Sequence, residues 1–79
     1  MYNYHLEFIL NIPELSLKDF KNSIIEFGKD LEITPLLETG HGGSKDFIIR
    51  MNTRDPTIIF DTCSQFGRLK SVKIYEEKT

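Results

Sequence analysis

Phe8-Ile9-Leu10-Asn11-Ile12 and, 39 positions on, Phe47-Ile48-Ile49-Arg50-Met51 are the stretches whose reading decides the fold. The correspondence extends along the chain. Phe27-Gly28 recurs as Phe66-Gly67, Ser16 matches Asp55, Phe20 matches Ile59, Ile24 matches Cys63 and Ile33 matches Val72. Around the first stretch, Tyr4, Leu6, Phe8, Leu10 and Ile12 alternate with His5, Glu7, Ile9 and Asn11, the period of two of a half-buried strand that Pro13 ends. Around the second, Phe47, Ile49 and Met51 alternate with Asp46, Ile48 and Arg50 in the same way.

Each strand is followed by a helical pattern. Ser16 stands at an N-cap position with Asp19 three residues on, Leu15 and Phe20 are spaced as a hydrophobic staple, and Leu17, Phe20, Ile24 and Phe27 share one face. Gly28 then predicts a left-handed helix stop. In the second half, Asp55-Pro56 supplies N-cap and first helical residue, Ile59, Cys63 and Phe66 the inner face and Gly67 the end. A strand is expected over Glu32–Glu38, at a sheet edge because Pro35 has no amide hydrogen to donate. A last edge strand has Val72 and Ile74 on its core side. Thr39-Gly40-His41-Gly42-Gly43-Ser44 has the glycine content of a hairpin connection. Two strand–helix–strand units predict an α+β, ferredoxin-like βαββαβ plait over residues 1–79, a four-stranded antiparallel sheet in the order 4-1-3-2 with two helices on one face.

A chain of 79 residues, 39% of them hydrophobic, buries only about 60–65% of its unfolded surface as a monomer, so association with another chain is a natural source of stability. The lone Cys63 forms no disulfide within the chain, and a reducing, cytoplasmic setting is expected. No signal peptide or spanning helix is read at the amino terminus, so no membrane partner is expected. A net charge of -2 gives no global attraction for a polyanion.

With helices on one side, the other side of the sheet is the candidate binding surface. Alternation gives it His5, Glu7, Ile9 and Asn11, then Asp46, Ile48 and Arg50, then Ser71, Lys73 and Tyr75. Its centre is apolar, its margins charged, as contact surfaces are commonly built. The residues expected to carry binding are Ile9 and Ile48, which supply desolvation, Arg50 and Lys73, which orient an acidic group, and Tyr75. His5, Glu7 and Asn11 stand at the margin. The expected function is that of a small, non-enzymatic regulatory or binding domain, its partner a second copy or another protein. The plain alternative is that Ile9 and Ile48 are strand formers on a solvated face.

Phe8-Ile9-Leu10-Asn11-Ile12-Pro13, with the helix ending in Phe27-Gly28, resembles the first motif and first helix of RNA-recognition motifs. Phe66-Gly67-Arg68-Leu69-Lys70-Ser71-Val72-Lys73-Ile74 is similar to that family's helix-to-strand junction. The resemblance implies single-stranded RNA binding through aromatic stacking. The chain departs from the family where bases would stack: Phe8 turns inward, and Lys45–Met51 lacks the second motif's glycine and aromatic spacing. Nucleic acid is therefore the alternative partner and not the expected one. ACT modules resemble this chain in topology, which implies a small-molecule effector between subunits, but Ile12-Pro13-Glu14-Leu15 lacks their loop glycine.

Other chemistry finds no support in the residues. The glycine run at His41 has no Lys-Ser/Thr ending and joins strands instead of opening a helix, unlike a phosphate-binding loop. One Cys and two His on separate elements predict no metal centre and no cofactor. Cys63 fills the slot of Ile24 and is expected to be a small buried residue, not a nucleophile. The loop after the first strand lacks the glycines and arginine of acylphosphatases, which share the plait. No catalytic residues are assigned.

Overall fold

A computed structural model describes residues 4–36 and 44–76. Its elements are β1 (Tyr4–Pro13), α1 (Leu17–Ile24), β2 (Gly28–Pro35), β3 (Ser44–Thr53), α2 (Pro56–Phe66) and β4 (Arg68–Glu76), with 3-10 turns at Glu14–Ser16 and Ile25–Phe27. The strands form one antiparallel sheet in the order β2-β3-β1-β4. This small α+β arrangement is compatible with the expected plait. The glycine-rich connection Thr39–Gly43 lies outside the described residues.

Alternation fixes which side of the sheet is covered. Leu6, Phe8, Leu10 and Ile12 of β1 and Phe47, Ile49 and Met51 of β3 form one buried cluster with Phe20 and Ile24 of α1 and Ile59 and Cys63 of α2. Both helices therefore lie on that side. Edge-on ring contacts between Phe8 and Phe60 and between Phe20 and Phe66, with centroids 5.6 and 5.7 Å apart, fix the helices against sheet and each other.

The two helix starts differ. Asp55 caps α2, its carboxylate accepting from the amides of Thr57 and Ile58 at 3.0 and 3.4 Å, with Pro56 at the first position. Ser16 makes no such bond, because the 3-10 turn has already put its backbone in the helical region, where its hydroxyl does not face the free amides. The staple fails with it: Leu15 is 97% exposed.

At its other end α1 tightens into the 3-10 turn after Ile24. Three residues per turn instead of 3.6 rotate Phe27 off the inner face, leaving it exposed. Gly28 is extended (φ -164°), not left-handed, and opens β2, so the second strand begins at Gly28 instead of Glu32 and is described to Pro35, the expected Leu37 and Glu38 lying outside the described residues. What position 28 requires is space: a Cβ there would collide with the Met51 side chain and the Asn52 carbonyl oxygen. Gly67, also extended, is pressed against the Asn11 carbonyl in the same way.

Both edge strands carry a bulge. In β2, Asp30 and Leu31 together oppose Met51; in β4, Ser71 and Val72 together oppose Phe8. The first residue of each pair is left-handed, with φ 56° at Asp30 and 50° at Ser71. The β4 bulge breaks the expected alternation. Leu69 now packs on the core. Val72 and Ile74 keep the covered side, Ile74 opposite Leu6, but on this edge strand they stay 45% and 50% exposed. Lys70 shifts to the uncovered side, opposite Ile9.

Candidate functional site

The uncovered face is ordered as rows running across the strands, because residues paired in an antiparallel sheet share a side. One row reads Glu32, Arg50, Glu7, Lys73 from β2 to β4. Its charges alternate in sign, and the Arg50 Nε donates to Glu7 Oε2 at 3.1 Å. The next row reads Thr34, Ile48, Ile9, Lys70, the two isoleucines paired and half-buried at its centre. The bulge opens a depression of ≈ 220 Å³ beside them, lined by Glu7, Ile9, Ile48, Ser71 and Lys73.

Polar networks flank these rows. At one end the Asn52 amide donates to Asp30 Oδ2 at 3.0 Å, which turns its carbonyl oxygen toward His5 Nδ1, 2.8 Å away. That oxygen can only accept, so Nδ1 carries the proton. The His5 ring lies 6.0 Å from that of Tyr75, tilted by 34°. At the other end the Asn11 amide donates to Asp46 Oδ1 at 2.8 Å, and the Lys70 ammonium donates to both Asp46 oxygens at 3.3 Å. The Asn11 bond, with Lys70 beside it, holds the Asp46 carboxyl below the usual range against the opposing effect of desolvation.

His5, Glu7, Ile9, Asn11, Ile48, Arg50, Lys73 and Tyr75 thus share one face. Sequence reasoning passed over Asn52 and Glu32, although continued alternation along β3 and β2 would have found them. Lys70 had no such signal, because only the bulge brings it there. Asp46, expected as an exposed margin residue, is 8% exposed beneath Asn11 and Lys70.

Elsewhere, Cys63 is fully buried, and desolvation pushes its thiol up to about 12, far from a reactive thiolate. Among the described residues no three His, Cys, Asp or Glu side chains gather as a metal site. No helix among the described residues is long and apolar enough to cross a membrane. A recess of ≈ 570 Å³ between α1 and β2 is lined by Leu17, Ile33, Pro35 and Phe47, with Lys18 and Lys21 beside them. No protein-family model matches the chain, and no curated protein matches it.

Proposed function

We propose that this chain is a non-enzymatic binding domain of the ferredoxin-like plait class that acts through the open face of its sheet, by self-association or by holding a protein partner, with regulatory consequences. The strand order, read from the β4 edge as 4-1-3-2, supports the plait. The observation that carries the function is the half-buried Ile9–Ile48 pair, next to a row of alternating charge and beside an open depression. Completing the burial of these side chains contributes about 1 kcal/mol each, too little for tight binding alone, so the charged row must supply register.

The edges support the same reading. Lys70, Lys73 and a bulge on β4, and Pro35 and a bulge on β2, are the devices that discourage strand addition. The face is left as the larger continuous surface. A free, buried Cys63 is compatible with a reducing, cytoplasmic setting.

Sedimentation equilibrium and thermal melting of the wild type and of Ile9→Lys/Ile48→Lys test the proposal. The double variant is expected to lose mass and melting temperature. Identical values for both proteins would remove the face as a contact surface.

One observation favours a second reading, single-stranded RNA binding: the His5–Tyr75 ring pair lies on the same face as Arg68, Lys70 and Lys73. Titration with short single strands that shifted no resonance of Ile48, Arg50 or Tyr75 would exclude it.

A further inference from the structure

Resting on the open-face reading, we infer that the occupant of this face is a second copy of the chain, docked about a two-fold axis that lies between β1 and β3 and runs parallel to the strands.

The inference comes from the order of charges. Such an axis sets each row on its own reverse. Glu32, Arg50, Glu7, Lys73 reversed is Lys73, Glu7, Arg50, Glu32, so every position meets its opposite charge. Glu32 meets Lys73 of the second copy, and Arg50 meets Glu7. In the next row the same operation sets Ile48 on Ile9, beside the depression at the β4 bulge.

Axes running across the strands do not achieve this. Placed through the charged row, such an axis sets Glu7 on Glu7 and Arg50 on Arg50. Placed between the rows, it sets Glu7 on Ile9 and Arg50 on Ile48, leaving charges against apolar groups. Placed through the isoleucine row, it sets Arg50 on Asp46, which is nearly buried and already held by Asn11 and Lys70, and sets Lys73 against Arg68.

Size and geometry agree. A face four strands wide and eight to ten residues long measures about 19 by 30 Å, so two copies bury on the order of 1,100–1,200 Å² of flat area, above the roughly 1,000 Å² a biological interface needs and at the lower edge of the standard size. Packed sheets cross at about 30°, which displaces the edge strands by only about 4 Å, within reach of Glu and Lys side chains.

Glu32 and Lys73 make the test, because they are three strands apart, about 14 Å, and do not touch within one chain. Both are exposed, and neither forms an ion pair among the described residues. Glu32→Lys and Lys73→Glu would be made singly and combined, with mass measured by sedimentation equilibrium, composition by native mass spectrometry and folding by circular dichroism. The wild type is expected to be a dimer, and each single variant to dimerise at least about tenfold more weakly, two like-charge contacts replacing two opposite ones. An equimolar mixture of the two single variants is expected to form the heterodimer, which restores both contacts, and the combined variant to dimerise with itself.

A wild type that stays monomeric, or a mixture no better than the singles, overturns the inference. A dimer indifferent to these charges but dissolved by Ile9→Lys/Ile48→Lys overturns the axis and leaves the open-face reading intact. A dimer indifferent to all of them overturns both.

Discussion

Lys70 on β4 reaches past β1 to Asp46 on β3, its ammonium 3.3 Å from both carboxylate oxygens. The contact exists because the Ser71–Val72 bulge turns Lys70 onto the open face. Three of the four strands are thereby joined at one end of the face, with Asn11 as the middle member.

That network has a pH signature. The folded-state pKa of Asp46 is depressed by the Asn11 bond and by Lys70, so its contribution to stability is present above the ordinary Asp value of about 3.9 and is lost as pH falls through the lower folded value. Asp46→Asn is expected to melt below wild type at pH 7, by about 1 kcal/mol once screening of half-exposed Lys70 is allowed for. The gap is expected to close in acid. A gap of constant size from pH 7 to 2 would show that the ionised carboxylate does not matter.

Gly67→Ala tests close approach. The extended backbone at Gly67 suits any residue, so the cost is purely the collision of the new Cβ with the Asn11 main chain. A loss of about 1–3 kcal/mol is expected from chemical denaturation, the usual penalty for overpacking. Gly28→Ala should lose less, since one of its obstacles is the flexible end of Met51. Wild-type stability in Gly67→Ala would show that β1 and β4 are farther apart there.

Thr53 joins three elements through one hydroxyl. It is fully buried, donates to the Phe27 carbonyl at 2.7 Å and accepts from the Asp55 amide at 3.1 Å. Thr53→Val keeps the shape and removes both bonds, stranding a carbonyl at the end of the first helical segment and an amide at the cap of α2. A loss of about 1–3 kcal/mol is expected, with faster hydrogen exchange at the Asp55 amide. Unchanged exchange there would mean the amide has another acceptor.

Much of this architecture was legible because the central strands alternate strictly: the same residues of β1 and β3 that read as inward form the core. Asp55-Pro56 was legible because a cap and a fixed φ act locally, and Pro35 because a missing donor must face an edge. Gly28 and Gly67 marked the right boundaries for the wrong reason. What they need is space beside Met51, Asn52 and Asn11, a long-range requirement that no local pattern carries. The bulges were illegible because Asp30 and Ser71 stand where glycine would have signalled positive φ. Missing the second one kept Lys70 off the candidate face.

The β4 bulge therefore yields the sharpest reversal of sequence-based expectation. In a regular edge strand, Ser71 replaced by Val gains from β propensity and replaced by Gly loses, so stability would rank Val, Ser, Gly. With φ 50° at this position the rank inverts. Glycine enters the left-handed region freely, with a net gain of about 0.5–1 kcal/mol after its larger unfolded-state entropy, whereas a β-branched residue is strained there by about 1–2 kcal/mol. Melting temperatures of Ser71→Gly, wild type and Ser71→Val are expected to fall in that order. Strain in the Val variant also favours flattening the bulge, which would return Lys70 to the other face and shrink the acid-dependent effect of Asp46→Asn to the part carried by Asn11 when the two substitutions are combined. The opposite rank would mean that β4 runs without a bulge, and the Lys70–Asp46 contact would fall with it.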